Sequence, residues 1–261
     1  MKNLLSIILV LVLSLSCLSL FSCNKEELTK EQLEAYNVYT VALKKTNSLK
    51  CLDAKLNMKI TMNVQGTTQS VSYKFNMKAI DVQNPKSMKM RLDGTMNMVG
   101  QNIVMDCYME DGWAYYDMKV SGQGMKFKPN LAGGNDEYSE MFNMGSVDLP
   151  KSLFKNVNVT ENSDGSKTLS LTMSGMQLLT LYSDLASSLG TEVKPSNISD
   201  AKVVATVNKD GYLSKTVVTY GMVIQGVSAD TTLDVEYFNL GKDVTVKPIN
   251  GYKSFPEQSL S

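Results

Sequence analysis

Histidine is absent from this sequence, and arginine occurs once, at Arg91. Without histidine the chain cannot build Ser-His-Asp or Cys-His catalysis, and it lacks the commonest general base and the usual zinc ligand. One arginine excludes clusters of bidentate guanidinium groups for phosphate. Basic and acidic residues balance at 26 each, so no basic excess indicates nucleic acid. We therefore expect neither an enzyme nor a nucleic-acid-binding protein.

Phosphate-binding and nucleophile motifs are missing as well. The sequence contains no G-x-G-x-x-G, no P-loop and no G-x-S-x-G. Ser152 and Lys155, and also Ser199 and Lys202, match S-x-x-K, but the S-D-N and K-T-G motifs that should follow are absent. The two matches are therefore attributed to chance. No repeat of 20–50 residues and no linker divides the chain.

The N-terminus has the pattern of an export signal. A short basic start at Lys2 precedes an uncharged stretch, residues 4–22, that ends at Cys23. A stretch of this length could also be an uncut membrane anchor or a plain signal peptide. Removal of Lys2 with the signal leaves 25 basic against 26 acidic residues, a net charge of −1.

The ending Leu20-Phe21-Ser22-Cys23 resembles the lipobox of bacterial lipoproteins, although Phe21 stands where a small residue is usual. Cys17, after Ser14-Leu15-Ser16, is a weaker rival. The resemblance implies a signal peptide at 1–22, acyl groups on Cys23 and a tether at 23–30. It also implies attachment to the extracytoplasmic face of a bacterial cell membrane, with no other cofactor.

Two further cysteines, Cys51 and Cys107, follow the signal. A disulfide between them is permitted outside the cytoplasm, but their spacing matches no motif. A bridge and two free thiols both stay open.

The hydrophobic pattern predicts one helix followed by many strands. Apolar residues recur at helical spacing over 30–47, behind a capping box that starts at Thr29. The period then changes to two, which predicts five strands joined by short turns, with Gly94 bending or bulging the third. These strands are 52–64, 71–79, 88–98, 103–109 and 113–120.

The second half of the sequence is more irregular. Residues 121–150 are predicted as a loop insertion with a short helix at 138–144. A helix is predicted at 174–189, with Gly190 at its C-terminal cap. Strands are predicted at 157–159, 169–173, 202–208, 212–224 and 227–239, with a further pairing at 244–249 and a loose tail at 251–261.

The fold class is therefore α+β, mainly antiparallel β. We expect a single domain at 31–250, built on one large, strongly curved sheet of about 9–11 strands. Two or three helices are available to cover the concave face of this sheet.

This order of elements behind a lipobox resembles the LolA-like group of envelope proteins, which includes LolA and LolB, the mycobacterial LppX/LprG lipoproteins and uncharacterised Gram-positive lipoproteins. The last set is the most similar. The residues that suggest it are Asn47-Ser48-Leu49, the strand Lys55–Val64, the run from Asp111 to Tyr116, and the close from Asp234 to Pro248. The resemblance implies an unclosed β-barrel with helices in its mouth, and a hollow that holds acyl chains in family members of known role.

Methionine is abundant, and 16 of the 17 methionines lie in the chain that follows the predicted signal peptide. Methionine is flexible and polarizable, and it is over-used on surfaces that bind varied apolar partners. The candidate residues for an apolar cavity are Leu56, Met58, Ile60, Met62, Tyr73, Phe75, Met77, Met88, Met90, Met96, Met98, Met105, Trp113 and Tyr115. An ordinary core filled with methionine is the alternative.

The sequence contains two other groups of candidate site residues, one of methionine pairs and one of acidic residues. The paired thioethers Met88/Met90 and Met96/Met98 suit Cu(I), but residues two apart on a strand simply share a face. The acidic residues near the fourth and fifth strands lack Ca²⁺-loop spacing and are expected to be solvated. They are Asp106, Glu110, Asp111 and Asp117.

The sequence thus supports a non-enzymatic lipoprotein that binds a lipid or another apolar ligand in a methionine-rich hollow. The alternative is an envelope structural or interaction lipoprotein with a filled core and a protein partner. A Cu(I)-binding protein is a remote third hypothesis. The expected partners are the membrane, through Cys23, and a lipid or lipoprotein ligand, with no nucleic acid.

Overall fold

The structure is a computed structural model, and it describes residues 28–64, 66–84, 86–98, 100–131, 149–181, 197–224 and 227–258. The described helices are α1 (Lys30–Asn47), α2 (Gly175–Leu181) and the two 3-10 helices Lys151–Asn156 and Tyr252–Ser254. The strands are β1 (Cys51–Val64), β2 (Thr67–Ile80), β3 (Lys89–Met98), β4 (Gln101–Glu110), β5 (Trp113–Val120), β6 (Gln123–Phe127), β7 (Asn158–Glu161), β8 (Lys167–Met173), β9 (Ala201–Val207), β10 (Leu213–Ile224) and β11 (Val227–Phe238).

The 11 strands form one unclosed antiparallel sheet in the order β6-β5-β4-β3-β2-β1-β11-β10-β9-β8-β7. Successive strands are neighbours on each side of β1, as expected for strands joined by short turns. The α+β class, the antiparallel sheet and the predicted 9–11 strands are confirmed.

The chain groups into two compact units. The helical unit contains the described residues of 28–47 and 149–231. The meander unit contains those of 48–131 and 232–258. Among the described residues, no helix is both long enough and apolar enough to cross a membrane.

In the helical unit, α1 packs on β9, β10 and the 3-10 helix Lys151–Asn156. Its N-terminus has the predicted capping box: the Gln32 N–H donates to Thr29 Oγ1 at 3.3 Å, and the Thr29 N–H donates to Gln32 Oε1 at 2.9 Å. Tyr36 and Tyr39 pack on the ring of Phe154, with ring centroids 5.2 and 5.6 Å apart. This apolar contact fixes the helix over its own strands.

In the meander unit, β1 to β6 pair in sequence through two-residue turns or short loops. β3 has no bulge at Gly94, because the register stays regular on both sides of it. A Cβ at Gly94 would lie 2.0 Å from the Lys74 carbonyl oxygen and 2.6 Å from the Phe75 ring. The missing side chain therefore makes room for Phe75, and the bulge predicted from the sequence is wrong.

The predicted insertion at 121–150 is only partly a loop, since residues 123–127 form β6 against β5. Its short helix at 138–144 lies outside the described residues. So do Cys23, Gly190 and the predicted second half of the helix at 174–189, which begins at Gly175.

The C-terminal segment, residues 246–257, differs from its prediction. Residues 244–249 form no strand, and residues 252–258 are held by hydrogen bonds and by the burial of Phe255 and are not loose. The Lys128 N–H donates to the Pro256 carbonyl at 2.8 Å, and the Gln258 N–H donates to the Lys128 carbonyl at 3.1 Å. Phe255 is only 5% exposed. Backbone hydrogen bonds to Lys128 and the buried ring of Phe255 hold this segment in place.

Candidate functional site

The most distinctive surface of the meander unit is the side of its sheet that carries methionine. Directly paired residues of an antiparallel sheet share a face, so the register defines rows across the strands. One row runs from Met58 through Tyr73 and Met96 to Ile103. We call this side the methionine face and define it by seven buried methionines, Met58, Met77, Met90, Met96, Met105, Met109 and Met118.

The methionine face is apolar, and most of its side chains are buried. Met96 and Ile103 are fully buried, at 0% exposure. Cys107 lies in the same face, and burial raises the pKa of its thiol to about 12. Burial likewise raises the pKa of the Tyr73 hydroxyl. Both shifts have the sign expected where a charged form would be desolvated, so this face favours uncharged, apolar contacts.

Most of the predicted cavity residues lie on this face. Apart from Tyr115, the buried members of the predicted set are Met58, Tyr73, Phe75, Met77, Met88, Met90, Met96 and Met105. A half-buried group, Leu56, Ile60, Met62 and Met98, shares the face. Met109, Met118 and Ile103 were missing from the predicted set, although the alternation of β4 and β5 could have identified them.

Trp113 and Tyr115 were predicted to line the same cavity, and this prediction is wrong. Tyr115 pairs with Tyr108, and Trp113 pairs with Glu110, on the opposite face of the sheet. The period-two rule decides this, because residues 114 and 118 carry the methionine-face side chains of β5.

The opposite face carries an aromatic cluster covered by the C-terminal segment. Tyr252 packs edge-on against Tyr108 and Tyr115, with ring centroids 5.0 and 4.7 Å apart. Phe255 and Ile249 complete the cluster. The residues that bury this cluster lie far apart in sequence, so the hydrophobic periodicity of single segments does not reveal it.

Glu110 lies at the edge of this cluster and accepts from several donors. Lys89 Nζ is 2.5 Å from Glu110 Oε1, and the Tyr252 hydroxyl donates to Oε2 at 2.6 Å. The Lys89 hydrogen bond, followed by that of Tyr252, lowers the pKa of Glu110. The same carboxylate raises the pKa of the Tyr252 hydroxyl to about 12. The two shifts favour the ionised carboxylate and the neutral hydroxyl, which are the forms that make this structural contact.

Two of the other acidic residues expected to be solvated are paired as well, whereas Asp111 is exposed in the turn after β4. Arg91 holds Asp106 through two hydrogen bonds of 2.9 and 2.7 Å, and donates a third to the Lys247 carbonyl. Lys126 pairs with Asp117 at 3.0 Å. Asp106 and Asp117 are therefore cross-strand partners of cations, which is a structural role.

Neither cysteine of the described chain is bridged: Cys51 is half-buried and Cys107 buried, each as a free thiol. The described residues also contain no group of three or more histidine, cysteine, aspartate or glutamate side chains able to hold a metal ion. The Cu(I) hypothesis, which depends on methionine sulfur, stays a prediction.

Comparison with known proteins gives one family match. The model of a family described as a family of unknown function, DUF6612, matches residues 34–245. No curated protein matches the sequence significantly.

Similar solved structures include LprF from Mycobacterium bovis, with 12% identity, a TM-score of 0.44, and coverage of 83% of this chain and 97% of that chain. A putative outer membrane lipoprotein-sorting protein domain from Vibrio parahaemolyticus has 11% identity, a TM-score of 0.21 and coverage of 81% and 95%. A LolA superfamily protein from Nitrosomonas europaea has 8% identity, a TM-score of 0.22 and coverage of 80% and 94%. These names belong to the group that the sequence resembles, but at TM-scores below 0.5 the similarity carries no functional conclusion.

Proposed function

Because this chain belongs to the DUF6612 family, whose function is unknown, we propose a function from its own residues. It is an extracytoplasmic lipoprotein, anchored by acyl groups on Cys23, that binds an apolar ligand of the lipid class on the methionine face. Binding is non-enzymatic.

The observation that carries this proposal is the gathering of seven buried methionines on one side of five adjacent strands. An unbranched thioether adapts its shape to a flexible chain, whereas leucine or isoleucine fills a fixed shape. Methionine is a poor choice for a core that must specify one packing. The set therefore suits contact with acyl chains better than it suits a solid core.

The anchoring part of the proposal rests on the sequence Leu20-Phe21-Ser22-Cys23. Two or more acyl chains on one residue are sufficient for stable attachment to a membrane. A ligand that is itself a lipid would then be exchanged close to the bilayer in which it dissolves.

Ligand binding is tested by native mass spectrometry of residues 24–261, which contain every described element, with organic extraction of bound material. We expect a stoichiometric apolar adduct. Met96→Phe should remove it without lowering the free energy of unfolding, since added volume would occupy space otherwise taken by ligand. Met96→Leu, nearly equal in volume, should retain the adduct.

A filled core would behave in the opposite way. Met96→Phe would then overpack the sheet and cost about 1–3 kcal/mol of stability, and the wild-type mass would stay free of adducts after incubation with membrane lipids. That pair of results would reject the binding proposal and direct attention to a protein partner on the surface.

Anchoring is tested separately by feeding cells an alkyne-tagged fatty acid and following its incorporation. Label should be lost in Cys23→Ala and retained in Cys17→Ala. The reverse pattern would place the lipid on Cys17, and label in neither protein would reject the anchor.

A further inference from the structure

Three hairpins of the meander unit turn at the same end of its sheet, because alternate turns of an antiparallel meander lie on one side. They join β1 to β2, β3 to β4, and β5 to β6. Each turn holds one glycine in the described chain, and a Cβ built on Gly66, Gly100 or Gly122 would meet no described atom within 4 Å. The strand register offsets the three turns along the strand direction, as in a sheet of tilted strands. The β1–β2 hairpin extends furthest. At these glycines the three tips thus have no described neighbour packed on them.

These tips are free of acidic residues. No aspartate or glutamate occurs in 54–80, in 94–105 or in 118–131. The turns at the other end of the meander are acidic, with Asp81 after β2 and Glu110-Asp111 after β4. The tips carry apolar side chains that are half-buried or exposed, and they are Met62, Val64, Met98, Val120 and Met125.

Three lysines follow directly behind the tips, on the face opposite to the methionines. Lys59, Lys74 and Lys119 are exposed, and no carboxylate of the described chain forms an ion pair with them. Lys74 and Lys119 flank Thr95 and Val104 in one row, and Val104 is 42% exposed.

Acidic side chains begin one step further back. Asp106 and Asp117 are already paired with cations, and β11, next to β1, carries Asp234 and Glu236. Asp93 lies in the same row as Asp106 and Asp117, and it accepts a hydrogen bond from Asn76 Nδ2 at 3.0 Å. The row directly behind the tips of β2 to β5, from Lys74 to Lys119, therefore contains lysines and no acidic side chain.

We propose that these three tips and the lysines behind them form a docking surface for an anionic lipid bilayer. The apolar tips enter the headgroup region, and Lys59, Lys74 and Lys119 approach the headgroup phosphates. Charge complementarity selects this occupant, since a basic, acid-free band behind apolar tips matches the layered order of phosphates and acyl chains. The surface goes beyond the proposed function, because it requires neither a ligand on the methionine face nor acyl groups on Cys23.

The test is cosedimentation of residues 24–261, which lack the acylation site but hold every described element, with vesicles of phosphatidylcholine alone or mixed with phosphatidylglycerol. We expect binding to the mixed vesicles only, weakened by salt. Replacing each of the three lysines by glutamine should reduce partitioning about fivefold per lysine.

The tips are tested by Val64→Asp and Met98→Asp, each expected to weaken partitioning about tenfold. Val82→Asp and Lys86→Gln, in the acidic turn at the opposite end, are the matched controls and should leave it unchanged. Absent binding, equal binding to neutral vesicles, or equal loss in tip and control variants would overturn the proposal.

A second measurement does not depend on the stability of those variants. In a Cys51→Ser background, a polarity-sensitive fluorophore is attached at Gln101→Cys near one tip or at Lys86→Cys in the opposite turn. Anionic vesicles should shift the emission to the blue at position 101 and leave it unchanged at position 86. Equal behaviour at the two positions overturns the docking surface, whatever native mass spectrometry shows about a ligand.

Discussion

Glu110 shows how much one side chain holds together. It accepts hydrogen bonds from Lys89 on β3 and from Tyr252 in the C-terminal segment, so a single carboxylate joins two parts of the chain distant in sequence. Glu110→Gln should lower the free energy of unfolding by about 1–3 kcal/mol at pH 7, because charge-assisted hydrogen bonds are lost and the donors are left poorly satisfied. Urea denaturation measures this, with the exposed neighbour Asp111→Asn as control.

The pH dependence of that difference follows from the lowered pKa of Glu110, caused first by the Lys89 hydrogen bond. A carboxyl with a lowered pKa in the folded state adds stability that is present above its unfolded pKa, about 4.3. This stability is lost as the pH falls through the folded value. The gap between wild type and Glu110→Gln should therefore shrink below about pH 4. A gap of constant size would mean that the carboxylate charge contributes nothing.

Gly94 tests the close approach of β2 and β3. In Gly94→Ala the new methyl group would overlap the Lys74 carbonyl oxygen, which belongs to the backbone and cannot rotate away. We expect a loss of about 1–3 kcal/mol in urea denaturation. Gly124→Ala is the matched control, since its Cβ would lie 4.0 Å from the nearest atom, the Met118 carbonyl oxygen. Similar stabilities of the two variants would contradict the steric explanation.

At the scale of elements, α1 is joined to its sheet by a polar link that the hydrophobic pattern does not reveal. Buried Thr46 donates to the Ala42 carbonyl within the helix and accepts from the Leu213 N–H of β10, both at 2.9 Å. Thr46→Val keeps the shape and leaves the Leu213 N–H unsatisfied, which should cost about 1–3 kcal/mol.

Thr40→Val is the matched control for this link, because the Thr40 hydroxyl donates only to carbonyls of its own helix, those of Tyr36 and Asn37. Thermal or urea unfolding of the two variants should separate them clearly. Equal costs would show that the bond to β10 contributes nothing beyond a bond within the helix.

The C-terminal segment behaves as an element although it has almost no regular structure. Phe255→Ala removes a buried ring that packs on Tyr115, and we expect a loss of about 3–5 kcal/mol. Lys253→Ala, at an exposed position two residues away, should change the free energy of unfolding by less than about 0.5 kcal/mol. A mild effect of Phe255→Ala would mean that the tail is loose in solution, as its polar composition suggested.

The elements of this chain were predictable to different degrees, and the reason is physical. The alternation of apolar and polar residues predicts strands β1 to β5 and the side on which their side chains are buried, because side chains of a strand point alternately to its two faces. The face of Trp113 follows from the same alternation, whereas the role of Gly94 depends on which residue of the neighbouring strand lies opposite. That information is a property of register, and register is not local in sequence.

At the scale of the whole molecule, an unclosed sheet has two edges, and here they are β6 and β7. Among the described strands, each pairs on one side only, with β5 and β8 respectively, and all four residues of β7 are exposed. β3, by contrast, is paired along its length on both sides. An amide of an edge strand can exchange with water while the rest of the sheet stays paired. An amide of β3 can exchange only when the hydrogen bonds of β3 to β2 and to β4 are broken.

Hydrogen–deuterium exchange should therefore rank the strands by their distance from an edge. We expect amides of β3 to exchange at least about a hundredfold more slowly than those of β7, which corresponds to about 3 kcal/mol of additional opening free energy. Peptides covering β2 and β4 should follow β3, and those covering β6 should follow β7. If β7 were as protected as β3, its edge would have to be covered in solution. Repeating the exchange at lower protein concentration would show whether a second copy covers it, because protection by association weakens on dilution.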